Sequence, residues 1–328
     1  MGTVRIGTSG WHYPSGEGTW NGLFYPARPR RSGPGAFDEL GYYAEHFDTV
    51  EVNSTFYGQP RPDVTRTWAE RTPAGFEFSI KLYQKFTHPR MFREAALAKA
   101  PGGSGPLLDL LAAVTPADVD EFRRGVGPLA GAGKLGMVLA QFPPSFKATP
   151  VARDYLHELL RALEDYPVAV ELRHRSWSDD FGGTLDLLNA SRAALVQIDE
   201  PQFRMSIAQN RLPNVTGAYY VRLHGRNAAQ WWHPPNRDDR YNYLYSNEEL
   251  REFADAAGSA AAIVKKAYVY TNNHFSSKAV VNAVMLKAQL GQPIEGTYPD
   301  ALVERYPELR AALAARPHAT PVRQPVQS

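Results

Sequence analysis

The stretch Val168-Ala169-Val170-Glu171-Leu172-Arg173 decides how the rest of the chain is read. Side chains of an extended strand alternate between its two faces. Val168, Val170 and Leu172 therefore share one face, while Glu171 and Arg173 share the other. Beside 168–173, seven segments look like strands: 4–9, 49–53, 77–81, 135–141, 194–199, 218–224 and 267–273. Most repeat the habit. Thr49, Glu51 and Asn53 oppose Val50 and Val52; Glu77, Ser79 and Lys81 oppose Phe78 and Ile80; Arg222 and His224 oppose Val221 and Leu223. Each has an apolar face and an ionisable face, and whatever surrounds the second decides the function.

Helical patterns fill the gaps. They run over Asp38–Phe47, Pro62–Arg71, Thr115–Ala130, Ala152–Asp165, Thr184–Ser191, Ser246–Ala257 and Ser276–Leu290. Pro62 suits a first helical position, where its missing N–H is not needed. Ser246-x-x-Glu249 is a capping box. Eight strands alternating with helices point to a parallel α/β fold, closed as a TIM-type (β/α)8 barrel with long strand-to-helix loops. No Gly-x-Gly-x-x-Gly follows the first strand, which argues against a dinucleotide-binding sheet. The barrel is expected to fill residues 1–315 as one domain. The 82–134 stretch carries an extra helical insertion around a flexible Pro101–Pro106 patch, and 316–328 form a disordered tail.

With 43% hydrophobic residues and 12% aromatics, the 328-residue chain can bury a large core, which excludes global disorder. The 36 basic and 34 acidic residues nearly balance, so no basic field recommends nucleic acid or an anionic membrane as partner. Arg28, Arg30 and Arg31 form a local cluster for which a solvated loop is the simpler reading. Cysteine is absent, which removes disulfides, iron–sulfur clusters, thiolate zinc sites and cysteine nucleophiles. The N-terminus runs straight into a strand without the features of a signal peptide. No apolar run approaches the roughly 18 residues of a membrane helix. A cytoplasmic protein is expected.

In a barrel the apolar strand faces meet the helices and the polar faces line the lumen. The inward set then holds Arg5, Lys81, Arg173 and Arg222 against Glu51, Glu77, Glu171 and Asp199, four charges of each sign. Buried charges need partners, so one reading is an ion-paired filling. The other is a site at the strand C-termini, where barrel enzymes place their chemistry. Ser9, Asn53, Lys81, Gln141, Arg173, His174, Asp199, His224 and Asn272–His274 all fall there. Arg5 and Glu77 lie deeper and read as structural. His224 and His274 follow neighbouring strands and suit an acid/base pair, or metal ligation with Glu171 or Asp199. Lys81 suits a base or Schiff-base nucleophile, against which an ion pair with Glu51 is the plainer reading. His12, His46, His88 and His157 read as surface or satisfied loop histidines. Trp11, Trp20, Trp177, Trp231 and Trp232 lie in loops after strands, able to roof the barrel or stack on a ligand.

Several ordered strings match a known family. They begin with Gly7-Thr8-Ser9-Gly10-Trp11-x-Tyr13, Trp20-x-Gly22-x-Phe24-Tyr25-Pro26 and Thr49-Val50-Glu51-Val52-Asn53-Ser54-Thr55-Phe56-Tyr57. Phe78-Ser79-x-Lys81, Thr87-His88, Gln141-Phe142-Pro143-Pro144-Ser145-Phe146 and Glu171-x-Arg173-His174-x-Ser176-Trp177 continue the set. Tyr220-Val221-Arg222-Leu223-His224-Gly225 and Asn272-Asn273-His274 complete it. Over nearly its whole length the chain resembles domain-of-unknown-function family 72, the YecE-like proteins. The resemblance implies a TIM barrel and no established reaction.

The expectation is an enzyme acting without metal or other cofactor on a small polar, anionic or sugar-like substrate. A hydrolase with paired carboxylates is the favoured subtype. Glu51, Lys81, Glu171, His224 and His274 are the candidate catalytic residues. Arg173 and Arg222 would grip an anionic group bidentately. Ser9, Trp11, Asn53, Gln141, His174, Trp177, Asp199, Asn273 and Tyr241 would contact substrate, under a lid formed by 225–245. The alternatives are a metal-dependent isomerase- or endonuclease-like barrel, and a non-catalytic nucleic-acid-binding or adaptor protein. Oligomeric state is not legible.

Overall fold

The computed structural model describes residues 2–28, 33, 35–99, 113–232 and 234–314. Eight strands close into a barrel in chain order, each parallel to its neighbours. They are β1 (Thr3–Ser9), β2 (Thr49–Val52), β3 (Glu77–Lys81), β4 (Leu135–Gln141), β5 (Val168–Glu171), β6 (Ala194–Asp199), β7 (Ala218–Leu223) and β8 (Lys266–Thr271). Helices follow every strand except β6, including Pro62–Glu70, Pro116–Gly131, Asn247–Ala260 and Lys278–Gln289. Pro62 opens its helix, and Ser246 and Glu249 form the expected capping box. Among the described residues no helix is long and apolar enough to cross a membrane.

Strands β5, β7 and β8 end earlier than their sequence patterns suggest. Arg173, His224 and Asn272–His274 therefore lie in the loops just past the strand ends, on the rim of the barrel mouth. The segment between β3 and β4 carries the helices Gln84–Thr87, Pro89–Lys99 and Pro116–Gly131. The Pro101–Pro106 patch, the 316–328 tail, and Arg30 and Arg31 fall outside the described residues.

Outward-facing Val50, Val52, Phe78, Ile80, Val168, Val170 and Leu172 are buried against the surrounding layer. Burial of such side chains contributes about 1.5–3 kcal/mol each. The lower lumen is closed by tyrosines and charges. Tyr268 donates to Glu77 at 2.5 Å, Lys266 pairs with Glu77 at 2.7 Å, and Arg5 bridges Asp48 at 2.7 Å and Glu77 at 3.2 Å. The Tyr270 hydroxyl lies 2.6 Å from that of Thr49 and 2.9 Å from that of Ser79. Arg5 and Glu77 are thus parts of a sealed floor, remote from the mouth.

One strand reverses the expected parity. Val196 pairs with Tyr220 and Ile198 with Arg222, so β6 turns Val196 and Ile198 into the lumen and Asp199 outward. Asp199 accepts from the Tyr245 hydroxyl at 2.7 Å and from Arg226 at 2.8 and 2.9 Å. Gln197, on the same face, accepts from the Arg211 backbone N–H at 2.8 Å. Polar partners after β6 and β7 meet this outer face, so it needs no apolar residues. Asp199 accordingly leaves the inward set.

Candidate active site

The C-terminal ends of the strands ring a cavity of about 640 Å³, whose wall includes Trp11, Asn53, Lys81, Gln141, Arg173 and Arg222. Asp238, Arg240 and Tyr241 reach in from the 225–245 segment, and His274 from the loop after β8. The His274 ring stacks on Tyr13 at 4.4 Å and lies 4.9 Å from Tyr241. Trp20 anchors that loop by donating its indole N–H to the His274 carbonyl at 2.7 Å.

Arg222, 1% exposed, is the hub. Its Nε and Nη2 donate to the two carboxylate oxygens of Glu51 at 2.8 and 2.7 Å. Its Nη1 donates to Glu171 at 2.5 Å and to Gln141 at 3.1 Å. Tyr220 adds a hydroxyl to Glu51 at 2.8 Å. Ser9 is the cross-strand neighbour of Glu51. Arg173 donates to Glu171 at 2.6 Å and pairs with Glu200 at 3.1 Å. Burial alone would raise both carboxyls, but the guanidiniums and their hydrogen bonds outweigh it. Glu51 is held below the usual carboxylate range with Arg222 as the main cause, and Glu171 well below it by Arg173 and Arg222. Glu200 goes the other way: burial raises it against the pull of Arg173.

His224 lies behind this lattice rather than on the cavity wall. Its Nε2 faces the guanidiniums of Arg173 at 3.2 Å and Arg222 at 3.4 Å, and its Nδ1 faces the Asn272 carboxamide at 2.7 Å. Burial first, then the two arginines, push its pKa down to about 4. The ring is neutral at physiological pH. It does not meet His274 as an acid/base pair, because the two occupy different layers.

Lys81 stands apart. With Arg222 engaging both Glu51 and Glu171, no carboxylate is left for it, and the expected Glu51 ion pair is absent. Its Nζ sits 4.3 Å from the centroid of the Phe56 ring, on the cavity wall, without a hydrogen bond or ion pair among the described residues. Burial and the neighbouring Arg222 lower its pKa to about 7, against the opposing pull of Glu171 and Glu51. A large share of this amine is therefore unprotonated at neutral pH, the state that acts as base or nucleophile.

Several expected contacts lie elsewhere. Arg222 is taken up by Glu51, Glu171 and Gln141, and Arg173 is already paired with Glu171 and Glu200, so neither presents an uncommitted fork to an anion. Trp177 is fully buried, donates to the Phe146 carbonyl at 2.8 Å, and packs under Arg153. His174 faces away from the cup, with its Nδ1 2.9 Å from Ser176 Oγ. Asn273 donates to the Tyr243 carbonyl at 2.8 Å and to Asn282 at 2.7 Å. Strand parity explains this last case: Tyr268, Tyr270 and Asn272 face inward, so Asn273 faces out.

Other wall residues escaped the sequence reading. His88 lines the cavity, and its pKa is lowered to about 3 by burial and then by Lys81 and Arg173. His12, Asp238 and Arg240 line it too, beside Asn272, which the sequence pattern places at the strand ends. Adjacency to Thr87, within a matching string, was the available signal for His88. Nothing in the letters singled out Arg240. Among the described residues no group of three His, Asp or Glu side chains has the geometry to hold a metal ion.

A closed eight-stranded parallel barrel with a polar cup at its strand C-termini defines a TIM-type (β/α)8 barrel. The chain belongs to the DUF72 family, whose family model, described as a protein of unknown function, matches residues 5–305. UPF0759 protein YunF of Bacillus subtilis is 28% identical over 311 residues, covering 91% of this chain and 99% of YunF. UPF0759 protein YecE of Escherichia coli is 31% identical over 137 residues, 41% of each chain. The crystal structure of a DUF72 family protein from Thermotoga maritima superposes with a TM-score of 0.70 at 30% identity, covering 88% of this chain and all of that one.

Proposed function

We propose that the protein is an enzyme acting on a small polar molecule in the cup, with the Lys81 amine as the reacting group. The observation that carries this reading is the lone position of Lys81. It shares the cavity wall with Arg173 and Arg222, yet unlike them it makes no ion pair with Glu51 or Glu171. A paired-carboxylate hydrolase needs one carboxyl protonated as general acid and the other free to attack or to activate water. Here both Glu51 and Glu171 are held ionised by guanidiniums, which favours the lysine over the carboxylates. Amine chemistry in such a cup covers proton abstraction beside a carbonyl and Schiff-base formation.

The test is a pH titration of lysines reductively methylated with ¹³C, followed by NMR. One resonance, absent from Lys81→Met, should titrate near neutrality while surface lysines titrate near 10.4. A Lys81 resonance with its midpoint above about 9.5 would overturn the proposal.

A further inference from the structure

Among the described residues the cavity holds a second cation that forms no ion pair. Arg240 lies on the short 3-10 turn Arg237–Tyr241 and lines the same cavity as Lys81. It forms no ion pair among the described residues, and its Nε is buried without a hydrogen-bond partner. The Tyr241 ring lies 6.0 Å from its guanidinium carbon. A buried guanidinium N–H left unmade is costly, typically ~1–3 kcal/mol and more for a charged group. A ligand that completes it recovers that cost. Arg222 and Arg173 are each paired with two carboxylates, so among the described residues of the cavity Arg240 is the guanidinium with none.

Resting on the reading of Lys81 as the reacting amine, we infer that the ligand is a small anionic carbonyl compound, an aldehyde or ketone carrying a carboxylate or phosphate. Its carbonyl meets Lys81 and its anionic group meets Arg240. Arg presents a planar fork that matches both oxyanions bidentately. At the other pole, the Nζ lone pair forms a C–N bond to the carbonyl carbon as the π pair moves to oxygen. Both amine hydrogens then leave with that oxygen as water, giving a C=N bond that protonates to an iminium. A volume of about 640 Å³ fits a small metabolite together with the departing water.

The experiment uses the full chain with three probes: glyoxylate, glycolaldehyde phosphate and neutral glycolaldehyde. Each is trapped with cyanoborohydride, whose hydride reduces the iminium to a stable secondary amine, and adducts are mapped by mass spectrometry. One adduct is expected, on Lys81, absent from Lys81→Met and Lys81→Arg variants whose melting confirms that they fold. At least one anionic probe should outpace the neutral one by roughly tenfold or more, the range for one charge-assisted contact. Arg240→Gln should abolish that preference, so that neither anionic probe outpaces glycolaldehyde, and Arg240→Lys should retain part of it. The faster anionic probe identifies carboxylate or phosphate as the preferred group. Equal trapping of neutral and anionic probes, or a preference that survives in Arg240→Gln, overturns the inference and leaves the lysine reading standing. Adducts spread over surface lysines, together with a Lys81 that titrates normally, overturn both.

Discussion

Replacing Arg222 with methionine tests whether the lattice under the cup is structural. The change removes two bonds to Glu51, one to Glu171 and one to Gln141. Glu171 keeps Arg173 at 2.6 Å. Glu51 keeps neutral partners such as the Tyr220 hydroxyl at 2.8 Å and the Asn53 carboxamide at 3.3 Å. A buried carboxylate thus loses its cation, a loss that typically costs about 3–5 kcal/mol. At roughly 2.1 cal/mol/K per residue, 328 residues carry an unfolding entropy of about 0.7 kcal/mol/K. The melting temperature at pH 7 should therefore fall by about 4–7 °C.

The pH dependence has a definite sign. In the native protein the depressed Glu51 pKa contributes stability above the unfolded value near 4.3, which is lost as pH falls through the folded value. In Arg222→Met, burial is no longer offset and the folded pKa rises above the unfolded one. Folding then takes up a proton between those two values, so acidification relieves the variant by up to about 1.4 kcal/mol per pH unit in that window. Melts followed by circular dichroism at pH 7 and pH 5.5, at one scan rate, should show the gap to the native protein narrowing. Glu51→Gln added to Arg222→Met should recover much of the loss. Lys81, freed from its main charged antagonist, should titrate higher than about 7. A drop below about 1 °C, a gap indifferent to pH, or a double variant no better than the single one would refute the reasoning.

Two further outcomes follow from the fold. Asp199→Asn, on the outer face of β6, weakens the contacts to Arg226 and Tyr245 and should cost about 1–3 kcal/mol in urea unfolding, leaving the Lys81 titration where it was. Gly225→Ala should lower stability by about 1–3 kcal/mol, measured the same way, because φ is +91° there and the added Cβ would lie 2.8 Å from Tyr243 Cβ.

Strand periodicity made the barrel and much of the cup wall legible. Glu51, Lys81, Glu171, Arg173 and Arg222 all sit on the face that alternation assigned to them, because helices cover the opposite faces with apolar side chains. The rule failed at β6, where polar partners from Arg211 and Arg226 cover the outer face and let Gln197 and Asp199 point outward. It gave little at β8, where Tyr268 and Tyr270 are amphipathic and the parity of Asn272, Asn273 and His274 depends on where the strand starts. Partnership was beyond sequence. Four charges of each sign predict neutrality, but not that one arginine from β7 would hold carboxylates from β2 and β5 at once. Arg240 was invisible for a different reason: it sits on a loop turn, where no period exists to say which way a side chain faces.

The lattice and the lysine are best understood as one electrostatic arrangement. Burial does most to lower the Lys81 pKa, Arg222 adds to it, and Glu171 and Glu51 oppose, so the amine drifts toward neutrality. Were Glu51 or Glu171 released from arginine to act as a nucleophile, Lys81 would be the nearest unpaired cation, and pairing would fix it as an inert ammonium. A carboxylate freed to attack and a neutral amine therefore make opposite demands on the same five side chains. Saturating both carboxylates with Arg222 and Arg173 meets the demand of the amine, and it does so with groups that remain charged at any physiological pH.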